Sequence, residues 1–341
     1  MKAYIYPNSK KGGFNNPYLH NFVQSFGNKI NFINYDHASK RGIIDIFFYL
    51  PGIELLFINW IEDITEKKGG KIQWLLFKYL IVPFCRFLNI KIVWTLHNRI
   101  SHYQSQISRK KRIFDYMVVN SDFIITHAKE GVSLIREHKL KVSGQVIFFP
   151  HPMNPRNRFS HDEKDIDIFI WGSIAPYKGI DQFIDLVKSD DIFSGLKIIL
   201  AGKAKDTGYE KEIQGKLPPQ IKYINRYLDD NELDDFLSRS RITLFPYASD
   251  SILSSGALSD SIGYGTCIIG PSKGAFIDLE EEGLVQTFNN LNELPLLCKK
   301  VFRGQGMNIQ PKNASGYISR YSWKAFAREV YNSMNEVNVK T

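Results

Sequence analysis

The sequence predicts an α/β protein built from two parallel-sheet domains, and three observations carry that reading. Its 341 residues exceed what one hydrophobic core usually spans and suit two. Short apolar runs alternate with amphipathic segments, the alternation lapses in the polar stretch Met153–Lys164, and it then starts again. Leu244–Pro271, LFPYASDSILSSGALSDSIGYGTCIIGP, reads strand, loop, helix, strand, which is one complete unit of a parallel sheet.

In the first half, Ala3–Tyr6 is a β-type run, followed by a polar loop with Gly12-Gly13 and an amphipathic segment Pro17–Phe26. A glycine pair between a first strand and a first helix lets backbone approach a ligand, and serves equally as a flexible turn. Apolar runs follow at Ile30–Tyr35, Ile43–Tyr49 and Glu54–Trp60. Lys71–Leu88, KIQWLLFKYLIVPFCRFL, is more apolar than an ordinary surface helix, yet Lys78, Pro83 and Arg86 interrupt it. It falls short of the ~20 apolar residues of a membrane span. Two readings stay open for it: a buried crossover helix, or a helix lying in a membrane surface with Trp74, Phe77 and Leu80 inserted.

Ile90–Thr95 reads as a buried strand ending in Leu96-His97-Asn98. That places His97 at the carboxyl rim of the sheet, where active sites collect. A helix through Phe114–Asn120 leads to the strand Phe123–Thr126 with His127 after it, and Val146–Phe149 ends in Pro150-His151-Pro152.

The second half repeats the pattern: strand Ile166–Trp171, loop Gly172–Gly179, helix Ile180–Val187, strand Leu196–Ala201 closed by Gly202-Lys203, and strand Ile221–Ile224. Asp229-Asp230 marks a helix start and Asp165-Ile166-Asp167 the beginning of a strand, places where acids are ordinary without any metal. Tyr321, Phe326, Val330 and Met334 recur at helical spacing, which predicts one long closing helix from Tyr317.

Composition narrows the classes. Hydrophobic residues make up 43% and charged residues 23%, an ordinary globular balance that excludes disorder and fibrous folds. From Glu66 to Arg112 eleven bases face a single acid, a local field that attracts anionic lipid, nucleic acid or phosphorylated substrates. Aromatic residues interleaved for base stacking are not apparent near the Arg109–Arg112 cluster, so nucleic acid is not expected. Cys85, Cys267 and Cys298 have no CxxC spacing and sit among apolar neighbours, which points to reduced core residues and a cytosolic compartment. MKAYIYP enters a strand directly instead of a signal segment.

Within the central unit, Ser254, Ser255 and Gly256 form a small-residue turn at a helix start. Two hydroxyls and close backbone approach suit a phosphate there, while a plain helix cap explains the tripeptide as well.

The order GSIAPYKGID, IILAGK, RITLFPY, SSGALSDSIGYGTCIIGP resembles the nucleotide-binding domain of GT-B glycosyltransferases, closest to glycosyltransferase family 4. The first half, with GG after the first strand and VWTLHN later, is similar to the acceptor domain of the same enzymes. The resemblance implies two Rossmann-like domains facing a cleft: an acceptor domain over residues 1–158, a nucleotide-sugar domain over 159–318, and a C-terminal helix, 319–341, that packs back on the first. It implies Lys178 on the donor diphosphate, with Ser173 where an arginine is common and Lys203 as a compensating charge. Gly13, Ser254, Ser255 and Gly256 would also touch the nucleotide or its phosphates. Of two glutamates that the family places seven residues apart, the second falls on Asp260, for the ribose, and the first on Ile252, with Asp250 the nearest acid. His97 matches the rim histidine that touches the donor sugar. An inverting reaction would need a base on the acceptor side, for which Glu62, Asp63 and His127 are candidates.

The expectation is therefore a retaining, metal-independent glycosyltransferase without a cofactor. It would move a sugar from a nucleotide sugar to a glycan or a polyprenyl-diphosphate-linked saccharide in capsule or exopolysaccharide synthesis, peripheral on the inner face of an anionic membrane. The alternatives are a GT-B epimerase or phosphorylase, or a non-catalytic basic adaptor for membrane or nucleic acid.

Overall fold

The computed structural model describes residues 1–8, 16–36, 41–67, 69–99, 107–138, 141–154, 163–204, 206–250, 252–305 and 311–338. Among these, twelve strands form two six-stranded sheets in which every pairing is parallel. Internal contacts divide the chain into two units, one of Met1–Pro152 with Tyr321–Thr341 and one of Met153–Arg320. The expected boundary at residue 158 lies outside the described residues.

In the first unit the strands are β1 (Lys2–Tyr6), β2 (Asn31–Phe32), β3 (Leu55–Asn59), β4 (Lys91–Leu96), β5 (Phe123–Thr126) and β6 (Gln145–Phe148), in the spatial order β2-β1-β3-β4-β5-β6. Runs such as LLFIN and FIIT are buried on both faces, which is why they read as continuous apolar stretches instead of alternating ones. The helix Pro17–Phe26 opens on an Asn16 cap, with the Asn16 side chain accepting from the Tyr18 N–H. It buries Phe22 and Phe26 against β3 and the closing helix Trp323–Asn338.

The second unit contains β7 (Ile166–Trp171), β8 (Ile198–Ala201), β9 (Ile221–Ile224), β10 (Ser240–Leu244), β11 (Cys267–Pro271) and β12 (Gln286–Phe288), ordered β12-β11-β10-β7-β8-β9. Its largest core packs Ile168, Phe183, Leu200 and Leu244 together. Asp229 and Glu232 cap the helix Asp230–Arg239 reciprocally, and Asp165 pairs with Lys197 and Arg239, so neither acidic group is a metal site in waiting. The three cysteines are buried and free.

Three expectations are corrected. The tail is two helices, Pro311–Arg320 and Trp323–Asn338, with the break at Tyr321-Ser322 where the chain leaves the second unit for the first. The segment after Ser255 is helical only over Gly256–Ser261, too short for much of a macrodipole. Lys71–Leu88 is neither wholly buried nor wholly exposed. It runs as the helix Gly70–Leu76, a π-helical turn Phe77–Ile81 and the helix Val82–Phe87. Pro83 supplies no N–H, and the widened turn before it absorbs the mismatch.

Candidate functional site

In an open parallel sheet, ligands gather at the carboxyl edge where the strand order reverses, because loops from the two central strands turn to opposite sides there. The second sheet reverses between β7 and β10. The loops that follow these strands meet at that point. Ala248 N–H donates to Tyr177 O at 3.2 Å, and a side chain on Gly179 would place its Cβ 2.1 Å from Pro246 O. Gly179 also has φ +65°, so glycine is required for both reasons.

This close packing encloses Lys178, which is 7% exposed. Its Nζ donates to the Tyr247 hydroxyl, lies 4.1 Å from the centre of that ring, and sits beneath Gly172. Tyr247 Oη in turn lies 3.1 Å from Ser255 Oγ. Burial lowers the Lys178 pKa, and Tyr177 opposes that shift. The result is an ammonium held by two aromatic rings and a hydroxyl, without a carboxylate among the described residues. An incoming diphosphate would be the counter-charge that the site lacks.

The other residues expected at the donor site take varied positions. Ser255 caps its short helix through Leu258 N–H, Ser173, Ser254 and Gly256 are half-buried beside it in sequence or on the adjoining β7 loop, and Asp260 is half-buried within the helix. Lys203 follows β8 and is exposed, its backbone carbonyl taken by Ile174 N–H. Gly13 lies outside the described residues. Ile252 is a core residue wedged against Gly274, and Asp250 points to solvent in an ion pair with Lys273. Neither supplies the missing acid as the loop stands. Tyr247 escaped sequence reading; the only signal was its place after Phe245-Pro246 at a strand end.

The first sheet reverses between β1 and β3, and a histidine and aromatic cluster occupies its rim. His97 Nε2 lies 2.9 Å from Asn59 Oδ1 while Asn59 Nδ2 donates to Tyr6 O, so the bond runs from His97 Nε2–H and Nδ1 carries the lone pair. Trp60 stacks on His97 at 4.1 Å and 13°. Trp60 itself has φ +48° in the left-handed region, a conformation costing about 1–3 kcal/mol for a non-glycine residue. Tyr18, which packs edge-on to His97, donates to His127 Nε2 at 2.7 Å, and His127 Nδ1–H donates to Phe149 O. Burial holds His97, His127 and His151 below the usual histidine range, so all three are neutral near pH 7.

These bonds bear on the acceptor-side base. His127 has both nitrogens engaged, and Asp63 pairs with the buried Lys110 at 2.7 Å. Glu62 is buried with neither carboxyl oxygen hydrogen-bonded, and burial, reinforced by the neighbouring Asp63 charge, pushes its pKa up to about 8. It holds a proton at neutral pH, the wrong state for a base. Because the folded protein keeps that proton up to about pH 8 while the ordinary value is 4.5, stability from this group is lost as pH rises through that window. Glu62→Gln is therefore expected to raise the melting temperature, with a gain that grows from pH 5 to about pH 8 and then levels off; a gain independent of pH would show that Glu62 is not titrating.

No protein-family model matches the chain, and no curated protein is similar to it in sequence. Solved structures are similar in fold. Anabaena Alr3699/HepE in complex with UDP and glucose superposes with a TM-score of 0.73 at 10% identity, over 98% of this chain and 100% of that one. A glycosyltransferase from Rickettsia africae gives 0.63 at 10% identity, with 97% of each chain covered. AviGT4, a glycosyltransferase of avilamycin A biosynthesis, gives 0.62 at 12% identity over 100% of this chain and 98% of its own. The chain thus has the GT-B fold of these glycosyltransferases, with two parallel six-stranded sheets and their helices.

Proposed function

We propose that this protein is a glycosyltransferase that takes its sugar from a nucleoside diphosphate sugar, with Lys178 holding the diphosphate. The observation that carries the proposal is the buried ammonium, without a carboxylate partner among the described residues, at the strand-order reversal of the second sheet. A leaving nucleoside diphosphate gathers negative charge as the glycosidic bond breaks, so a cation fixed beside it favours the transition state over the bound substrate. Lys178 supplies that charge in this reading, and no metal or cofactor enters. Uridine diphosphate is the first donor nucleotide to test, since HepE is solved with UDP and with UDP-glucose. Asp260 is assigned to the ribose hydroxyls and His97 to a sugar hydroxyl through Nδ1.

Retention of configuration is the favoured course. Of the three acceptor-side candidates, Asp63 and His127 are engaged and Glu62 holds a proton, so in this reading the departing phosphate is assigned the acceptor proton. The acceptor is read as a glycan or a lipid diphosphate-linked saccharide of polysaccharide synthesis, and the protein as peripheral on an anionic membrane. No helix among the described residues is long and apolar enough to cross one.

The test is thermal denaturation with UDP, GDP, ADP and CMP, followed by the sugars of whichever binds. A nucleotide that binds only the folded state adds about 2.7 kcal/mol of stability at a hundredfold excess over its Kd. A shift with one nucleotide, lost in Lys178→Ala, is expected; equal shifts in wild type and variant would remove Lys178 from the site.

A further inference from the structure

We infer that one face of the first unit, formed by residues 44–48, 70–88 and the basic helix Ile107–Asn120, docks onto an anionic phospholipid bilayer. Nine of the twelve large hydrophobic side chains exposed among the described residues fall between Ile44 and Leu88, including Ile72 at 66%, Tyr79 at 65% and Phe87 at 84%. Scattered exposed apolar residues need no explanation, but a patch this concentrated marks an interaction surface. It is continuous. Phe47 and Phe84 are 5.4 Å apart between ring centres, Phe84 and Phe87 6.4 Å, and Ile43 N–H donates to Gln73 Oε1. The inward side chains Phe77, Ile81, Val82 and Cys85 anchor the segment in the core, so its outward face is presented on a fixed element.

Beside the patch lies a cavity of about 650 Å³ lined by Lys71, Lys78, Arg109 and Arg112, with Trp74 and Leu75 shared with the apolar face. None of the four cations is in an ion pair with an acid among the described residues. The one acid in the lining, Asp115, is already bound to Lys111 at 3.1 Å and to His138 at 2.7 Å. Four cations without an acidic partner among the described residues, Lys78 resting over the Tyr79 and Tyr116 rings, stand beside a row of aromatic and aliphatic side chains and match the two layers of a bilayer boundary, phosphates outside and acyl chains beneath. A second copy of this chain is a poor occupant, because the same four cations would face their equals across the contact.

The proposal sharpens the peripheral-membrane part of the functional reading by naming the surface and the lipid chemistry, and it rests on that reading. Its test needs neither donor nor acceptor, so the two can fail separately. The full-length protein is floated with vesicles of phosphatidylcholine alone and of phosphatidylcholine with phosphatidylglycerol. Binding is expected only to the anionic vesicles and to weaken with salt, since each cation near such a surface multiplies affinity about fivefold. Arg109→Gln with Arg112→Gln is expected to lower the partition coefficient about tenfold or more. Ile72→Ser with Phe87→Ser, both at exposed positions, is expected to do the same. Unchanged melting temperatures would show that the variants are folded. Equal binding to both vesicle types, no binding by the wild type, or undiminished binding by both variants would overturn the proposal. So would a concentration-dependent dimer that Phe87→Ser dissolves, which would give the face to a second copy.

Discussion

Lys178→Met is expected to make the protein more stable and to abolish most of its activity. The Nζ is buried, its partners are a hydroxyl and the faces of Tyr247 and Tyr177 at 4.1 and 5.6 Å, and burial lowers its pKa. Ring faces and one hydroxyl offset only part of the cost of removing an ammonium from water. Methionine fills a similar volume without the charge, so a gain of about 1–3 kcal/mol is expected, at roughly 2–4 °C per kcal/mol. The sign against pH follows from the lowered value. Between the folded and unfolded pKa values the unfolded chain binds the extra proton, so wild-type stability climbs as pH rises toward 10.5. The advantage of methionine should be full at neutral pH and fade in alkali. Activity should move the other way, with kcat/KM down about 10²–10³-fold, the usual loss when one charge-stabilising group leaves an active site. A lysine kept only for packing predicts the reverse, a less stable variant that still turns over. Melting curves from pH 7 to pH 10 beside initial rates separate the two.

The contrast between Lys178 and Tyr247 shows what the sequence could convey. Lys178 was legible through the resemblance, as a lysine just before a glycine, and the structure adds that local geometry requires glycine at 179. Tyr247 was not, because its bond to Lys178 spans 69 residues and depends on which strands are neighbours. The sheets were legible because strands buried on both faces appear as unbroken apolar runs between glycines and prolines. Ends of elements were harder. Pro83 inside an otherwise helical run leaves open whether the chain stops, kinks or widens, and the structure widens it. In the sequence Glu62 is only a candidate acceptor-side base, and its burial beside the Trp94 indole is a property of packing that no neighbouring residue in the sequence reports.

Acid should unfold the first unit well before carboxylate protonation would, because three neutral histidines sit in its rim, His97 and His127 buried and His151 half-buried. His97, His127 and His151 are all held below the ordinary value of 6.5 by burial, His127 to about 3 and His151 to about 4. Below pH 6.5 the unfolded chain gains protons that the folded one refuses, and each such group removes about 1.4 kcal/mol of stability per pH unit. Glu62 works in the opposite direction. From about pH 8 down to 4.5 it is the folded state that holds the extra proton, so one of the three losses is offset. For these four groups the net loss between pH 6.5 and pH 5 is about 3 kcal/mol, a large share of the 5–15 kcal/mol of a typical domain. Four of the five tryptophans, Trp60, Trp74, Trp94 and Trp323, belong to the first unit, so intrinsic fluorescence in urea follows it selectively. Glu62→Gln removes the offset. Its stability should fall with pH more than half again as steeply as that of the wild type, by about 5 kcal/mol between pH 6.5 and pH 5 instead of about 3. Parallel curves for the two proteins would mean that the histidines take up protons in the folded state, and that the rim opens to water before the unit unfolds.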